Sequence, residues 1–94
     1  KYPSITKDMA FIVKKDVSSN DIQSIIKKVG GRLLTDIDVF DVYVGENVGD
    51  DEKSIAYTLT FSDSTRTLSD EEVTQLFRQI IEKVEQTGAK LRDK

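Results

Sequence analysis

Two separate segments of the chain carry their apolar residues along a single helical stripe, and this pattern limits the fold more than any other feature. In residues 20–29 the apolar positions fall at steps of three and four: Ile22, Ile25, Ile26 and Val29. The second stripe follows a capping-box sequence that begins at Ser69, and it consists of Val73, Leu76, Phe77, Ile80, Ile81 and Val84. A helix with one apolar stripe buries only that side, so each helix needs an apolar surface to cover.

The predicted partner surface is a β-sheet, because most of the remaining chain has strand patterns. Strands are predicted at residues 8–13, 33–44, 54–61 and, briefly, 89–92. The third alternates cleanly, with Ile55, Tyr57, Leu59 and Phe61 on one face and Ser54, Ala56, Thr58 and Thr60 on the other. The second changes parity, from Ile37 and Val39 to Phe40, Val42 and Val44, which predicts a bulge near Val39.

The elements follow the order βαββαβ. Ser18 or Ser19 is predicted to cap the first helix, Gly30 and Gly31 to end it, and Gly88 to end the second. Residues 45–53 form a polar, acidic loop. Two helices with one stripe each can cover only one face of a four-stranded antiparallel sheet, whose first and third strands are expected in the middle. We therefore predict an α+β, ferredoxin-like two-layer sandwich with both helices on the same face.

Length and composition fit one small domain, expected to span residues 1–94. The absence of Cys and His excludes disulfides, thiolate or imidazole metal sites, and nucleophiles activated by His. With a net charge of −3, RNA binding would need local contacts or positive charge from a larger protein. No apolar run is long enough to span a membrane and no signal-peptide pattern opens the chain, so a cytoplasmic location is expected. The chain starts at Lys1 rather than Met, which suggests a fragment of a longer protein, although tag removal or processing would give the same start.

Function is expected on the sheet face that the helices leave uncovered. In each strand, the bulkier of the two alternating sets of side chains is assigned to the core. The open face then carries Ala10, Ile12, Asp41, Tyr43, Ser54, Ala56, Thr58 and Thr60. Small residues line its middle, so a nucleobase has room to stack on Tyr43. An ionised Asp41 on the same face accepts hydrogen bonds only, which favours guanine, because guanine has two adjacent donors on its pairing edge. The residues alone also allow a simpler interpretation, in which Tyr43 covers a strand end and Asp41 is solvated.

Several stretches along nearly the whole chain resemble one family. They are Tyr2-Pro3, residues 7–10, residues 39–43 with Gly45, and residues 53–61, 66–73 and 88–92. In this order they are similar to the ferredoxin-fold anticodon-binding domain at the C-terminus of the bacterial phenylalanyl-tRNA synthetase β chain. The most specific parts are Phe-Asp-Val-Tyr, ending at Tyr43, and Lys-Ser-Ile-Ala-Tyr, ending at Tyr57.

The resemblance implies that the chain binds the anticodon stem and loop of phenylalanine tRNA, whose first anticodon base is guanine. The contact surface of the family maps onto Ala10, Asp41, Tyr43 and Ser54. Lys7, Lys53 and Arg66 are candidate contacts to the tRNA backbone, although Arg66 has a second interpretation, in which it pins the turn before the second helix. The family usually has Arg-Asp where this chain has Lys7-Asp8, which puts any two-pronged guanidinium contact there in doubt.

The resemblance also implies that the chemistry lies elsewhere. ATP-dependent aminoacylation belongs to the other subunit, so this domain is expected to need no cofactor, whereas the parent enzyme is expected to use ATP and Mg²⁺. The expected partners are phenylalanine tRNA, the remainder of the β subunit and the α subunit in an α2β2 heterotetramer, with neither membrane nor DNA. The sequence itself has no Gly-rich phosphate loop of the type that ends in Lys followed by Ser or Thr.

Other functions fit the residues less well. A ferredoxin-like domain that binds small ligands or hydrolyses acyl phosphates is the main alternative, but the hydrolase needs a Gly-rich anion loop and an Arg after the first strand, and residues 17–20 supply neither. An RNA-recognition motif stacks bases on aromatics of its central strands, and the open parity of the third strand has none. A calcium loop starting at Asp36 would need Gly in place of Asp41 and Glu in place of Asn47.

Overall fold

The structure, a computed structural model, describes residues 2–92. Lys1, Asp93 and Lys94, the ends of the predicted domain 1–94, lie outside the described residues. The elements are β1 (Ile5–Lys14), α1 (Ser19–Gly30), a short 3₁₀ helix (Gly31–Leu33), β2 (Leu34–Tyr43), β3 (Glu52–Phe61), α2 (Asp70–Glu85) and β4 (Lys90–Leu91). The predicted order βαββαβ is confirmed, although β1 begins earlier than expected. Neither α-helix in this part of the chain is long and apolar enough to cross a membrane.

Both α-helices begin at the predicted caps. The Ser18 side chain accepts a hydrogen bond from the backbone N–H of Asn20 at 3.1 Å. At α2, the Ser69 hydroxyl accepts from the backbone N–H of Glu72 at 3.2 Å, and the Glu72 carboxylate accepts from the backbone N–H of Ser69 at 2.9 Å. This reciprocal pair is the predicted capping box, and it satisfies two backbone donors that the first turn of a helix leaves free.

The sheet has the strand order β2-β3-β1-β4, and every pair is antiparallel. The first and third strands are therefore central, as predicted. They pair without interruption from Ile5 opposite Phe61 to Lys14 opposite Glu52. Because laterally paired residues point to the same face of a sheet, this register assigns every side chain of the central strands to one face.

One apolar core lies between the sheet and both α-helices. Its buried residues come from β1, β3, α1, α2 and the flanking segments: Met9, Phe11, Val13, Ile22, Ile26, Ile55, Tyr57, Leu59, Phe61, Leu68, Val73, Ile80, Val84 and Ala89. The Tyr57 hydroxyl donates to the backbone carbonyl of Ser19 at 3.3 Å, which ties β3 to the start of α1. Burial raises the pKa of Tyr57 to about 12, so the hydroxyl keeps its proton. A single core confirms that the two helices cover the same face.

The second strand is irregular in two places. Its register with β3 shifts between Leu34 and Asp36 and again between Val39 and Asp41, so the predicted bulge is confirmed and Phe40 is its extra residue. The prediction that Phe40, Val42 and Val44 belong to the core is wrong, because these side chains are 54%, 55% and 56% exposed. Phe40 is turned out by the bulge. Val42 is paired with the buried Ile55 on the helix side, but β2 is an edge strand and leaves it uncovered.

Candidate nucleic-acid interface

The open face of the sheet has a floor of small residues, as predicted. Ala10 and Ala56 pair with each other in its middle, and Asp41 lies beside Ala56 on β2. One row further along, Ser54 lies between Ile12 on β1 and Tyr43 on β2. The register therefore brings all four predicted anticodon-binding residues, Ala10, Asp41, Tyr43 and Ser54, to adjacent positions on the same face.

Asp41 and Tyr43 are the two accessible polar groups of this set. Asp41 is exposed, and the Tyr43 side chain is 36% exposed at the last position of β2. A carboxylate and an aromatic ring that project side by side into solvent can accept hydrogen bonds from a planar ligand and stack on it. The simpler interpretation, in which Tyr43 covers a strand end and Asp41 is solvated, is also compatible with this exposure.

Ser54 differs from its expected environment. It was predicted to meet solvent or RNA on the open face, but it is only 3% exposed. Its lateral neighbours explain the difference, since Ile12 and Tyr43 are both much larger and flank it in the same row. Ser54 is therefore part of the covered floor, and a ligand would reach its hydroxyl only if one of these neighbours moved.

A depression of about 560 Å³ extends this surface along the edge of β1, which β4 pairs only at Phe11 and Ile12. On the open side it is lined by Asp8, Ala10, Phe40, Ala56 and Arg92, and on the helix side by Met9, Phe77, Ile81 and Leu91. Phe40 thus adds a second aromatic ring next to the small-residue floor. The alternation of the sequence predicted that this ring belongs to the core. A bulge takes one residue out of the alternation, and the sequence pattern does not show which residue that is.

Two cations reach the open face from β4 and the residue that follows it, and sequence reasoning missed both. Lys90 pairs with Ile12 in the row of Ser54 and Tyr43. The backbone N–H of Arg92 donates to the carbonyl of Ala10 at 2.8 Å, and its guanidinium carbon lies 5.2 Å from the centre of the Tyr43 ring. Residues 90 and 92 are two apart on a strand predicted to lie beside the central first strand. The alternation of side chains could therefore have shown that both lie on the same face of the sheet.

Lys7 and Lys53, predicted as candidate contacts to tRNA backbone, lie on the other face of the sheet. Lys7 pairs with Leu59 and Lys53 pairs with Val13, and both partners are buried under the helices. Alternation alone would have indicated this, because Lys7 shares the parity of Met9 and Lys53 that of Ile55. The structure does not bring these lysines together with Asp41 and Tyr43.

Arg66 holds the turn before α2. Its Nη1 donates to Glu72 Oε1 at 2.6 Å and its Nη2 to Glu72 Oε2 at 3.1 Å, a two-pronged pair, and its Nε lies 3.5 Å from Asp63 Oδ2. The hydrogen bond to Glu72 raises the pKa of Arg66, and the same bond lowers the pKa of Glu72. These contacts favour the second of the two interpretations of Arg66, in which it pins the turn.

No group of three or more His, Cys, Asp or Glu side chains within residues 2–92 comes close enough together to hold a metal ion. The charged groups of the open face include the carboxylates of Asp8, Asp38 and Asp41 and the two cations, and the Tyr43 phenol lies beside the small-residue floor. This combination suits a planar base with an attached phosphate chain, because stacking, hydrogen-bond acceptance and anion attraction are all within one surface.

Comparison with known proteins identifies the same family as the sequence resemblance. Residues 1–92 match the sequence model of the ferredoxin-fold anticodon-binding domain. Among similar proteins is the phenylalanine–tRNA ligase β subunit of Listeria monocytogenes, 44% identical over 86 residues, which are 92% of this chain and 11% of the relative. The same subunit of Shouchella clausii is 44% identical over 93 residues, or 98% of this chain and 12% of the relative. That of Bacillus subtilis is 41% identical over 87 residues, or 93% of this chain and 11% of the relative.

The chain spans 11–12% of the length of these relatives, so the likeness concerns one domain of each. Within that domain, the match covers nearly every residue described above, including all four strands and both α-helices. The sheet order, the single helix-covered face and the sequence match agree, and the chain belongs to the family of ferredoxin-fold anticodon-binding domains.

Proposed function

We propose that the chain binds the anticodon stem-loop of phenylalanine tRNA as one domain of a phenylalanine–tRNA ligase β subunit. Its family and the name of its relatives support this function. The structural observation that carries the proposal is the exposure of Asp41 and Tyr43, side by side on the sheet face that no helix covers. The surface fits a base with a stacking face and donors along one edge.

In the proposed complex, the first anticodon base, guanine, stacks on Tyr43, and its two adjacent N–H groups donate to the Asp41 carboxylate. Ala10 and Ala56 contribute by being small, since larger side chains there would fill the space above the floor. Ser54 supports the floor beside Tyr43, and its burial makes direct contact with the base secondary. The selectivity for guanine comes from Asp41, because a carboxylate has no hydrogen to offer a base that presents acceptors.

Aminoacylation would take place elsewhere in the enzyme. The proposed larger protein uses ATP and Mg²⁺, pairs this β subunit with an α subunit in an α2β2 heterotetramer, and works in the cytoplasm. The task of this chain is to hold the tRNA in place, and binding energy gained at a remote part of a substrate can be used to lower the barrier at the reacting end.

The direct experiment is the Tyr43→Ala variant in a full-length β subunit that carries this chain and is assembled with its α subunit. We expect kcat/KM for tRNA in aminoacylation to fall about five- to 150-fold, the equivalent of about 1–3 kcal/mol for one lost base stack. ATP-dependent activation of phenylalanine without tRNA should be unchanged, because the anticodon surface takes no part in it.

Val42→Ala provides the matched control. Val42 lies between Asp41 and Tyr43 and is 55% exposed, but its side chain points to the helix side of β2. Its removal should leave kcat/KM for tRNA unchanged. Equal losses in the two variants would mean that β2 is disturbed in general, and no loss in Tyr43→Ala would remove the ring from the interface.

A further inference from the structure

The Tyr43 ring rests against the backbone of Gly45, in the loop that follows β2. A Cβ atom added at Gly45 would lie 3.1 Å from the Tyr43 hydroxyl oxygen and 3.3 Å from the ring carbon that carries it. Both distances are shorter than ordinary van der Waals contact, so a side chain at this position would have to push the ring away. Gly45 also has φ +136°, a backbone conformation that residues with a side chain rarely adopt.

The same ring has a second neighbour, the guanidinium of Arg92, at 5.2 Å from the ring centre. Arg92 is fixed beside β1 by the hydrogen bond of its backbone N–H to Ala10. An arginine within about 6 Å of an aromatic ring centre is attracted to the electron-rich face. The ring is thus contacted by the loop at its hydroxyl end and by Arg92 from the far edge of the sheet.

These contacts matter because Tyr43 is the last residue of the edge strand β2, where the ladder holds it only from the side of Ser54. Stacking on a base depends on the tilt of the ring as well as on its presence, since a tilted ring loses parallel contact. A loop that approaches the hydroxyl end closely limits the rotations about the side-chain bonds. A Cβ at residue 45 would force the ring to shift by a few tenths of an ångström.

We propose that Gly45 is a positioning residue for Tyr43: the absence of a side chain at residue 45 allows the ring to settle against the loop in the orientation that stacks on the first anticodon base. The inference rests on the proposed function, in which Tyr43 is the stacking residue. It adds that RNA binding depends on residue 45 without any contact between this residue and the RNA.

A competing explanation is that glycine is needed only for the backbone conformation. Gly88 separates the two explanations, because it has φ +100° and an added Cβ there would meet nothing within 4 Å. Gly88→Ala therefore imposes backbone strain of the same kind without displacing any ring. The comparison of Gly45→Ala with Gly88→Ala isolates the contact to Tyr43.

The experiment measures binding of a phenylalanine anticodon stem-loop to the 94-residue chain and to four variants: Gly45→Ala, Gly88→Ala, Tyr43→Ala and the double variant Gly45→Ala with Tyr43→Ala. We expect Gly45→Ala to weaken binding roughly three- to tenfold, within the range by which contacting residues couple in double-mutant cycles. Gly88→Ala should bind as the unsubstituted chain does. In the absence of the Tyr43 ring, Gly45→Ala should cause no further loss.

A spectroscopic signal of the free chain tests the same point without RNA. The NMR resonances of the Tyr43 ring should shift in Gly45→Ala and stay in place in Gly88→Ala. In the unsubstituted chain, the ring protons nearest the hydroxyl should give NOEs to the Gly45 α protons. This last measurement needs no variant, so it applies even if Gly45→Ala fails to fold.

Three outcomes would overturn the inference: no effect of Gly45→Ala where Tyr43→Ala weakens binding, an equal effect of Gly45→Ala with and without the Tyr43 ring, or no NOE between the ring and Gly45. Failure of the proposed function gives a different result. In that case Tyr43→Ala itself leaves stem-loop binding unchanged, whatever the ring contacts are. If Tyr43→Ala weakens binding and Gly45→Ala does not, only the positioning role of Gly45 is rejected.

Discussion

Between Asp41 and Tyr43 lies Val42, whose side chain points to the opposite side of β2, so the carboxylate and the ring are nearest neighbours along the open face. Opposite them on β3 are Ala56 and Ser54, which are too short to cover either group. A base that stacks on the ring therefore has its edge within reach of the carboxylate. In the proposed complex, these two residues of one strand would combine stacking and donor selection.

Asp41→Asn tests the donor selection. The side chain keeps its size, but an amide has one acceptor and one donor group in place of two acceptors, so one of the two hydrogen bonds from guanine is lost. We expect the preference for a stem-loop with guanine over adenine at the first anticodon position to fall by about 1.5–3 kcal/mol, the usual contribution of a hydrogen bond to a charged group. Binding titrations with the two stem-loops measure it.

Asp38→Asn is the control for this change. Asp38 is exposed on the open face of the same strand, but it pairs with Thr58, outside the row of Asp41 and Ala56. Asp38→Asn therefore removes the same charge as Asp41→Asn, but at a greater distance from Tyr43. A similar loss of preference in both variants would assign the effect to overall charge and exclude Asp41 as the selecting group.

Asp63 is the carboxylate on which the turn between β3 and α2 depends. Its side chain is almost fully buried, accepts from the backbone N–H of Thr65 at 3.0 Å and from the Thr65 hydroxyl at 2.9 Å, and lies 3.3 Å from Arg32. The hydrogen bond from the Thr65 backbone, followed by that from its hydroxyl and by the charge of Arg32, lowers the pKa of Asp63 below 3.8. The folded state therefore prefers the ionised form.

The stability that Asp63 provides should depend on pH in a defined direction. Because its pKa is lower in the folded than in the unfolded state, the contribution is complete above 3.8 and is lost as the pH falls below that value. Asp63→Asn should lower the midpoint of urea unfolding at neutral pH, and the gap to the unsubstituted chain should narrow in acid. Asp16→Asn, in an exposed turn, should leave the midpoint unchanged. A constant gap across the acid range would contradict this assignment.

At the scale of elements, the second of the two irregularities in β2 adds one aromatic residue, Phe40, to the strand. Val39 pairs with Tyr57 and Asp41 pairs with Ala56, so the two residues already face opposite sides and Phe40 is additional between them. In a regular strand Asp41 and Tyr43 would share the helix-covered face with Val39, so the bulge at Phe40 brings both of them to the open face. It adds an aromatic side chain to the depression lined by Ala10 and Ala56.

Two changes at residue 40 separate the ring from the bulge. Phe40→Ala keeps the bulge and removes the ring, whereas deletion of Phe40 removes both and restores plain alternation. Phe40→Ala should alter the free energy of unfolding by less than about 1 kcal/mol, because the side chain is mostly exposed. Both variants should bind the anticodon stem-loop more weakly, by the same factor, and should keep the chemical shifts of the β1–β3 ladder.

Different binding by the two variants would show that the bent strand itself shapes the interface. Unchanged binding by Phe40→Ala would exclude the ring from the interface altogether, and collapse of the ladder on deletion would mean that the bulge is needed for the fold.

The elements that the sequence predicted are those with a clean period. The faces of the residues were predicted correctly for the stripe from Val73 to Val84 and for the alternation from Ser54 to Phe61. Burial of one face requires apolar residues at regular intervals, and this spacing is visible in the sequence. The face of Phe40 and the exposure of Ser54 were predicted wrongly for a different reason. The orientation of a bulged residue and the cover over a small residue depend on neighbours in other strands, and these are known only once the register is known.

At the scale of the whole molecule, the open face of the sheet carries charges of both signs. The net charge is −3, and the carboxylates of Asp8, Asp38 and Asp41 lie on this face, yet Lys90 and Arg92 both reach it beside the small-residue floor. Lys7 and Lys53 lie on the helix side, and Arg66 is paired with Glu72. RNA lying across the open face would therefore have two nearby cations for its phosphates, and the acidic remainder of the surface would repel non-specific polyanions.

This distribution predicts both weak binding and a shallow salt dependence for the 94-residue chain. Each phosphate neutralised on a single-stranded nucleic acid contributes about −0.7 to the slope of log K against log salt, so two cations predict a slope of about −1.4 for the anticodon stem-loop. Arg92→Gln should reduce its magnitude by about 0.7, whereas Lys7→Gln should leave it unchanged, because Lys7 projects from the helix side. Tight, sequence-blind binding with a steep slope would mean that RNA is held by another surface, and a lowered slope in Lys7→Gln would mean that the RNA passes around the sheet edge.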